Sequence, residues 1–510
     1  MPVNQLKAGA LLSYVSMGLH NIIGLVYTPF MLRMMGQSEY GLYSIVASVI
    51  SYLTVLDLGF GNAIIRYTAK FRAEQKVREQ YEMFGMFLIF YCVIGFLALI
   101  IGSVLLFNIQ SIFDQTMNHE ELSKVRIMMS IMIFNLAFTF PMSIWWAIIT
   151  AYERFVFPKI INIIRIILNP LVMVIMLLMG YRAIGMVVVT TIFNILTLLI
   201  NYYYCKYTLK IEIHFGTFQR GFFKEVSIYS FWIFLNAIMD RIYWSTGQFV
   251  LGMFKGAIVV AVYAVAIQLQ SIYMSFSTAI SSVFLPKVTA MVANRNDDKE
   301  ISDLFIRTGR VQYIIMIFVL IGFIVFGKPF VRLWAGADYE EAYWIALLFF
   351  VPLTVPLIQN LGITILQARN QMRFRSTLYV IIAFLSLGIS IPLAKSYGGI
   401  GCALGTSFAL FLGQIIIMNI YYWKRVHLDI PTFWKEILKM SIVPIAFGAI
   451  WWYMYQFIKL DNWANFILNV LFFILLYVPL IWFTSINAYE RNLFAYPIKV
   501  LTQKIILRKK

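Results

Sequence analysis

Asp57, Arg165, Asp240, Arg241 and His20 interrupt stretches of sequence that are otherwise apolar. A charged group held at the centre of a bilayer costs about 2.5–3.5 kcal/mol on insertion scales, so by default it faces a cavity, a partner or an ion path. Asp57 is followed by Gly59, Gly61 and Asn62. Glycines loosen a helix, and backbone freed within a membrane must line a cavity or be buried in protein. A carboxylate there suits binding of a proton or sodium ion; it also suits a structural pair with a base, or a cap at a helix break. Asp240 shares a helical face with Asn236, Tyr243 and Gly247, while Arg241 points about 100° away. Either the two residues are interhelical ion pairs or Asp240 has a coupling or gating role.

Arg165 lies on one face with Asn162 and Asn169. Its guanidinium suits bidentate contact with an anionic oxygen group; simple snorkelling is the alternative. Arg66 and Arg241 are the other two cations expected to line an inward-facing basic cavity. Gln268, Ser271, Ser275, Thr278 and Ser282 form a polar stripe over four turns. It reads as the polar wall of a cavity, or as helix-on-helix packing through small polar residues. Ser13, Ser16, His20, Gly24 and Tyr27 make a further face. His20 is a group that titrates near neutrality or a packing residue.

The elements that must position these groups follow from composition. Of 510 residues, 61% are apolar and 13% charged, with a mean hydropathy of +0.81. Soluble domains are nearer 45–50% apolar and about 25% charged. Soluble domains, disorder and disulfide scaffolds are therefore excluded, leaving an all-α, polytopic membrane protein. The formal charge of +18 comes with no nucleic-acid motif, and basic residues at the ends of apolar segments suit membrane lipids instead. Three cysteines and four histidines are scattered, so no metal is expected, and no Walker lysine motif is present. No cofactor is expected, and the first apolar stretch reads as a retained span.

A span needs about 20 mostly apolar residues. Fourteen are expected, near 8–33, 40–65, 83–107, 125–150, 159–179, 184–205, 226–251, 257–285, 309–327, 344–367, 377–394, 400–422, 437–457 and 463–485. With the N-terminus inside, thirty of the 41 Lys and Arg fall on the inner side, nine outside and two within spans. That bias predicts both termini in the cytoplasm. Tyr181-Arg-Ala-Ile-Gly185 precedes span 6 and Tyr397-Gly-Gly-Ile-Gly401 precedes span 12, 216 residues later. The basic turns after spans 4 and 10 keep a similar offset. The repeat predicts two six-helix bundles related by a pseudo-two-fold axis along the membrane normal. Residues 1–205 form an N-lobe, 206–225 a cytoplasmic linker and 226–422 a C-lobe; 423–510 hold spans 13 and 14 and a basic tail.

Met35-Gly-Gln-Ser-Glu-Tyr-Gly-Leu-Tyr43, Leu56-Asp-Leu-Gly-Phe-Gly-Asn-Ala-Ile-Ile-Arg-Tyr67 and Phe330-Val-Arg-Leu-Trp-Ala-Gly-Ala-Asp-Tyr339 carry a resemblance. They are similar to the polysaccharide and oligosaccharide (Wzx-type) flippases. That superfamily also holds multidrug-and-toxin extruders and the lipid II flippase. The resemblance spans essentially the whole chain. It implies inner-to-outer movement of a polyprenyl-pyrophosphate-linked oligosaccharide by alternating access, in a bacterial inner membrane. Polysaccharide polymerase and glycosyltransferases are the partners it implies. A multidrug extruder of the same fold would favour an acidic cavity for cationic substrates. A membrane glycosyltransferase or polymerase would require a sizeable extramembrane loop, and every loop here is short, so no enzyme is expected.

Overall fold

The computed structural model describes residues 5–216, 220–293, 297–369, 371–458 and 460–495. Among them the chain is helical, without strands. The order is α1 (Gln5–Met35), α2 (Gln37–Leu53), a 3-10 turn (Thr54–Asp57), α3 (Phe60–Ala73), α4 (Val77–Phe107), α5 (Ile109–Phe113), α6 (His119–Ala151), α7 (Val156–Leu178), α8 (Ala183–Tyr203) and α9 (Arg220–Lys255). Then come α10 (Ala257–Ala293), α11 (Asp298–Trp334), α12 (Glu341–Ile358), α13 (Asn360–Ala368), α14 (Met372–Leu410), α15 (Met418–Lys424), α16 (Ile430–Tyr455) and α17 (Trp463–Thr484). Each expected span falls largely on helical residues, the second interrupted at Leu58 and Gly59 and the tenth at Gln359. Twelve stretches of the described residues are long and apolar enough to cross a membrane. The longest, Met372–Lys424, has 53 residues and bends at Gly398, where φ is 60°. That left-handed backbone makes α14 two helices meeting at a kink.

The chain divides into two compact units: Met1–Ala264 with Ala383–Thr406, and Val265–Ile382 with Ser407–Lys510. In the first, α4 packs along α6, α6 along α8 and α1 along α7. The second expected span is broken. After the 3-10 turn, Leu58 (φ 52°) and Gly59 (φ 70°) are both left-handed, and α3 starts afresh at Phe60. A leucine in that region costs about 1–2 kcal/mol, so the surrounding packing must hold it there. Phe60 does part of this, with its ring 5.5 Å from Phe87 and 5.8 Å from Tyr91 of α4. At the other end of α2, the buried Glu39 accepts from Lys124 Nζ of α6 at 2.6 Å and from the Ala183 N–H of α8 at 3.3 Å. Ser38 Oγ donates to Glu121 at 2.6 Å. The Gln-Ser-Glu motif therefore ties three helices together.

In the second unit α11 packs on α12 and α16. Tyr273 of α10 stacks on Phe350 of α12 at 4.3 Å, and its hydroxyl meets Thr354 at 2.7 Å. Gln359, Asn419 and Trp434 form a hydrogen-bonded chain, 2.7 and 2.9 Å. Arg310 of α11 donates to Glu490 at 2.6 and 3.1 Å and to Glu436 of α16 at 2.5 Å. Arg310 and Glu490 are both buried.

Candidate functional site

Two polar places stand out in the first unit. One is the helix break. Asp57 ends the 3-10 turn, half-buried, with the Gly59 backbone N–H beside its carboxylate. The Tyr91 hydroxyl lies next to it and near Ser143. That hydroxyl is fully buried, with no hydrogen bond of good geometry. Ser143 Oγ itself donates to the Phe140 carbonyl at 2.7 Å. A carboxylate and a phenol at a break in a membrane helix have the chemistry to exchange a proton or to hold a small cation.

The other is a cavity of about 400 Å³ lined by the ends of α6, α7 and α8. Its polar lining is Lys159, Asn162 and Arg165 of α7, Thr197 and Asn201 of α8, and Thr150 of α6. Among the described residues no carboxylate lines it. Arg165 and Lys159 are half-buried and make no hydrogen bond or ion pair among the described residues. Asn162 Nδ2 donates to Ser16 Oγ of α1 at 2.8 Å. Asn201 is buried and its Oδ1 has no partner. Two cations without counter-ions, in a cavity of ligand size, can receive an anion.

The remaining candidates are placed as follows. Asn169 is half-buried on α7 with an unpartnered Oδ1, and does not line that cavity. Arg66 is exposed on α3, 5.7 Å from the ring of Tyr67, whose hydroxyl donates to Glu225. Asp240 and Arg241 are exposed on α9. On the face drawn through Asp240, Tyr243 is buried and donates to the Thr406 carbonyl at 3.1 Å, and Gly247 packs under Tyr263. That face therefore serves packing on one side of Asp240. The side chains of Asn236 and Ser282 lie outside the described residues, as do residues 496–510 of the basic tail. His20 is exposed on α1. In the second unit Gln268 and Ser275 are half-buried and Ser271 and Thr278 exposed on α10. Ser275 and Thr278 donate to carbonyls of their own helix.

Of the sequence candidates, then, Arg165 and Asn162 share one cavity. Sequence reasoning missed Asn201 and Thr197 as their neighbours, and Tyr91 as the neighbour of Asp57. Asn194, Thr197 and Asn201 recur at helical spacing along α8, a polar stripe that marks that face.

The fold is shared with solved structures of membrane proteins. The structure of the lipid II flippase MurJ in an inward closed conformation matches with a TM-score of 0.74 at 17% identity. The match covers 96% of this chain and 99% of that one. An inward-facing multidrug resistance MATE family transporter of the MOP superfamily matches with a TM-score of 0.63 at 13% identity, over 82% and 96%. The family model described as polysaccharide biosynthesis protein matches residues 6–292, more than half of the chain, and the protein belongs to that family. A relative from Shigella flexneri, named "Putative O-antigen transporter", is 21% identical over 408 residues, 78% of this chain and 94% of the relative.

Proposed function

We propose that the protein is a flippase. It moves a polyprenyl-pyrophosphate-linked oligosaccharide repeat unit across the bacterial inner membrane during assembly of a surface polysaccharide. The observation that carries this reading is the similarity to the Shigella relative along 94% of its length. Both termini are cytoplasmic. The two repeats, 1–205 and 226–422, act as lobes that expose the cargo alternately to each side. Arg66, Arg165 and Arg241 draw in the anionic headgroup while the polyprenyl tail stays in lipid. Asn162, Asn169 and the α10 residues Gln268, Ser271 and Ser275 meet the polar cargo. Asp57, with Asp240 and His20, couples the cycle to an ion gradient; one charge moved across 100 mV supplies about 2.3 kcal/mol. Glycosyltransferases supply the cargo and a polymerase consumes it.

The MATE likeness supports a second reading, a multidrug exporter. The carboxylate-free cavity beside Arg165 favours an anionic cargo over a cationic drug. The test is flipping of a fluorescent polyprenyl-pyrophosphate oligosaccharide in proteoliposomes, beside efflux of a cationic dye. Flipping without dye transport is the expected result. Dye transport without flipping overturns the reading.

A further inference from the structure

The cavity between α6, α7 and α8 makes a more specific demand on its ligand than negative charge alone. Lys159 and Arg165 supply N–H donors and positive charge. Every other polar group there offers an acceptor. Asn162 spends one amide N–H on Ser16 and keeps Oδ1 as an acceptor. Thr150 and Thr197 spend their hydroxyl hydrogens on the Trp146 and Phe193 carbonyls, at 2.9 and 2.7 Å. Asn201 Oδ1, on a side chain 4% exposed, accepts nothing. An orphaned buried acceptor costs about 1–3 kcal/mol, so it asks for a donor. A phosphodiester with no hydroxyl of its own meets the cations but supplies no donor to the acceptors. A phosphate ester that also carries hydroxyls meets both.

The surroundings identify the rest of the molecule. Ile160 and Ile164, each one residue before a lining residue of α7, are exposed, and so is Ile200 beside Asn201. Trp146, itself a lining residue, is 48% exposed, the placement expected of an interfacial aromatic. Polar cavity and apolar rim together fit an amphiphile.

We propose that Lys159, Arg165, Asn162 and Asn201 form a headgroup site for a lipid whose phosphate ester bears hydroxyl groups. A glycerol-headed phospholipid and a diphosphate-linked glycan share that chemistry. The site does not depend on the flippase reading, because a membrane phospholipid can occupy it whether or not glycan is moved.

The test is native mass spectrometry of the full-length, delipidated protein. It is incubated separately with phosphatidylglycerol, phosphatidylmethanol (anionic, no headgroup hydroxyl), phosphatidylcholine and a polyprenyl diphosphate glycan. Retention of phosphatidylglycerol or the glycan over both controls is expected. The double variant Lys159→Gln, Arg165→Gln should retain about thirtyfold less, from two headgroup charges. Lys424→Gln, which removes a cation elsewhere, should retain as much as wild type. Asn201→Ala should bring phosphatidylglycerol down to the level of phosphatidylmethanol. Retention of phosphatidylglycerol makes the membrane the source; retention of the glycan alone makes it the cargo. Equal retention by wild type and the double variant overturns the site. Equal retention of phosphatidylglycerol and phosphatidylmethanol by wild type overturns its hydroxyl recognition. If the double variant unfolds, Arg165→Lys replaces it: loss of bidentate geometry with charge kept should lower retention severalfold, and unchanged retention overturns the role of Arg165. Glycan flipping is measured on the same samples, so a failed flippase reading and a failed headgroup site give different patterns.

Discussion

A methyl group added to Gly59 would lie 2.4 Å from Ile233 Cγ2. The glycine is needed twice over, for its left-handed φ of 70° and for the approach of α9 to the helix break. Gly59→Ala should therefore destabilise the protein by about 1–3 kcal/mol, read as a lower melting temperature in detergent. Ile233→Ala relieves the clash but not the backbone strain, so the double variant should recover part of the loss. Losses that simply add would place the cost elsewhere.

Asp57 and Tyr91 can be separated. Asp57→Asn keeps the shape and removes the charge, and should abolish any response of flipping to a pH or sodium gradient. Tyr91→Phe removes a hydroxyl that has no hydrogen bond of good geometry, so stability should change by less than about 1 kcal/mol. A gradient response that survives Asp57→Asn would take the coupling role from this carboxylate.

Glu39 is buried and holds both Lys124 and the Ala183 N–H. Glu39→Ala should cost about 1–3 kcal/mol by leaving a buried N–H unmet. Glu120 also bonds Lys124, at 2.7 Å, so the lysine keeps one partner. Melting of Glu39→Ala and Lys124→Ala, singly and together, should show coupling rather than additivity.

Glu490 is the inner member of the Arg310 cluster. Glu490→Ala leaves the guanidinium with Glu436 alone and should destabilise by about 3–5 kcal/mol. Hydrogen exchange should show the loss first in the segment following α17, which Glu490 joins to α11. Wild-type protection there would mean that the segment is held by apolar contacts instead.

The apolar spans were legible because composition and length alone mark them. The break at Asp57 was legible too, since Gly59 and Gly61 follow the only acid of that span. Arg165 and Asn162 share a cavity because helical spacing had already put them on one face. That spacing says nothing about the helix opposite, so Asn201 and Tyr91 went unread. Arg310 illustrates the limit most clearly, as its partner Glu490 is 180 residues away. In the membrane, lipid-facing and protein-facing surfaces are both apolar, so composition does not tell one face of α9 from the other. Tyr243 and Gly247 accordingly read as a continuation of the Asp240 face, although they pack.

The length of α11 sets the depth of its ion cluster. Trp334 closes this helix, and Arg310 lies 24 residues earlier, about 36 Å along the axis at 1.5 Å per residue. The hydrocarbon layer is about 30 Å thick. With Trp334 at one boundary, the guanidinium and its two carboxylates stand just beyond the other, among lipid headgroups and water. The three charges are then sheltered by protein without being immersed in oil, and the helix acts as a ruler that keeps them there.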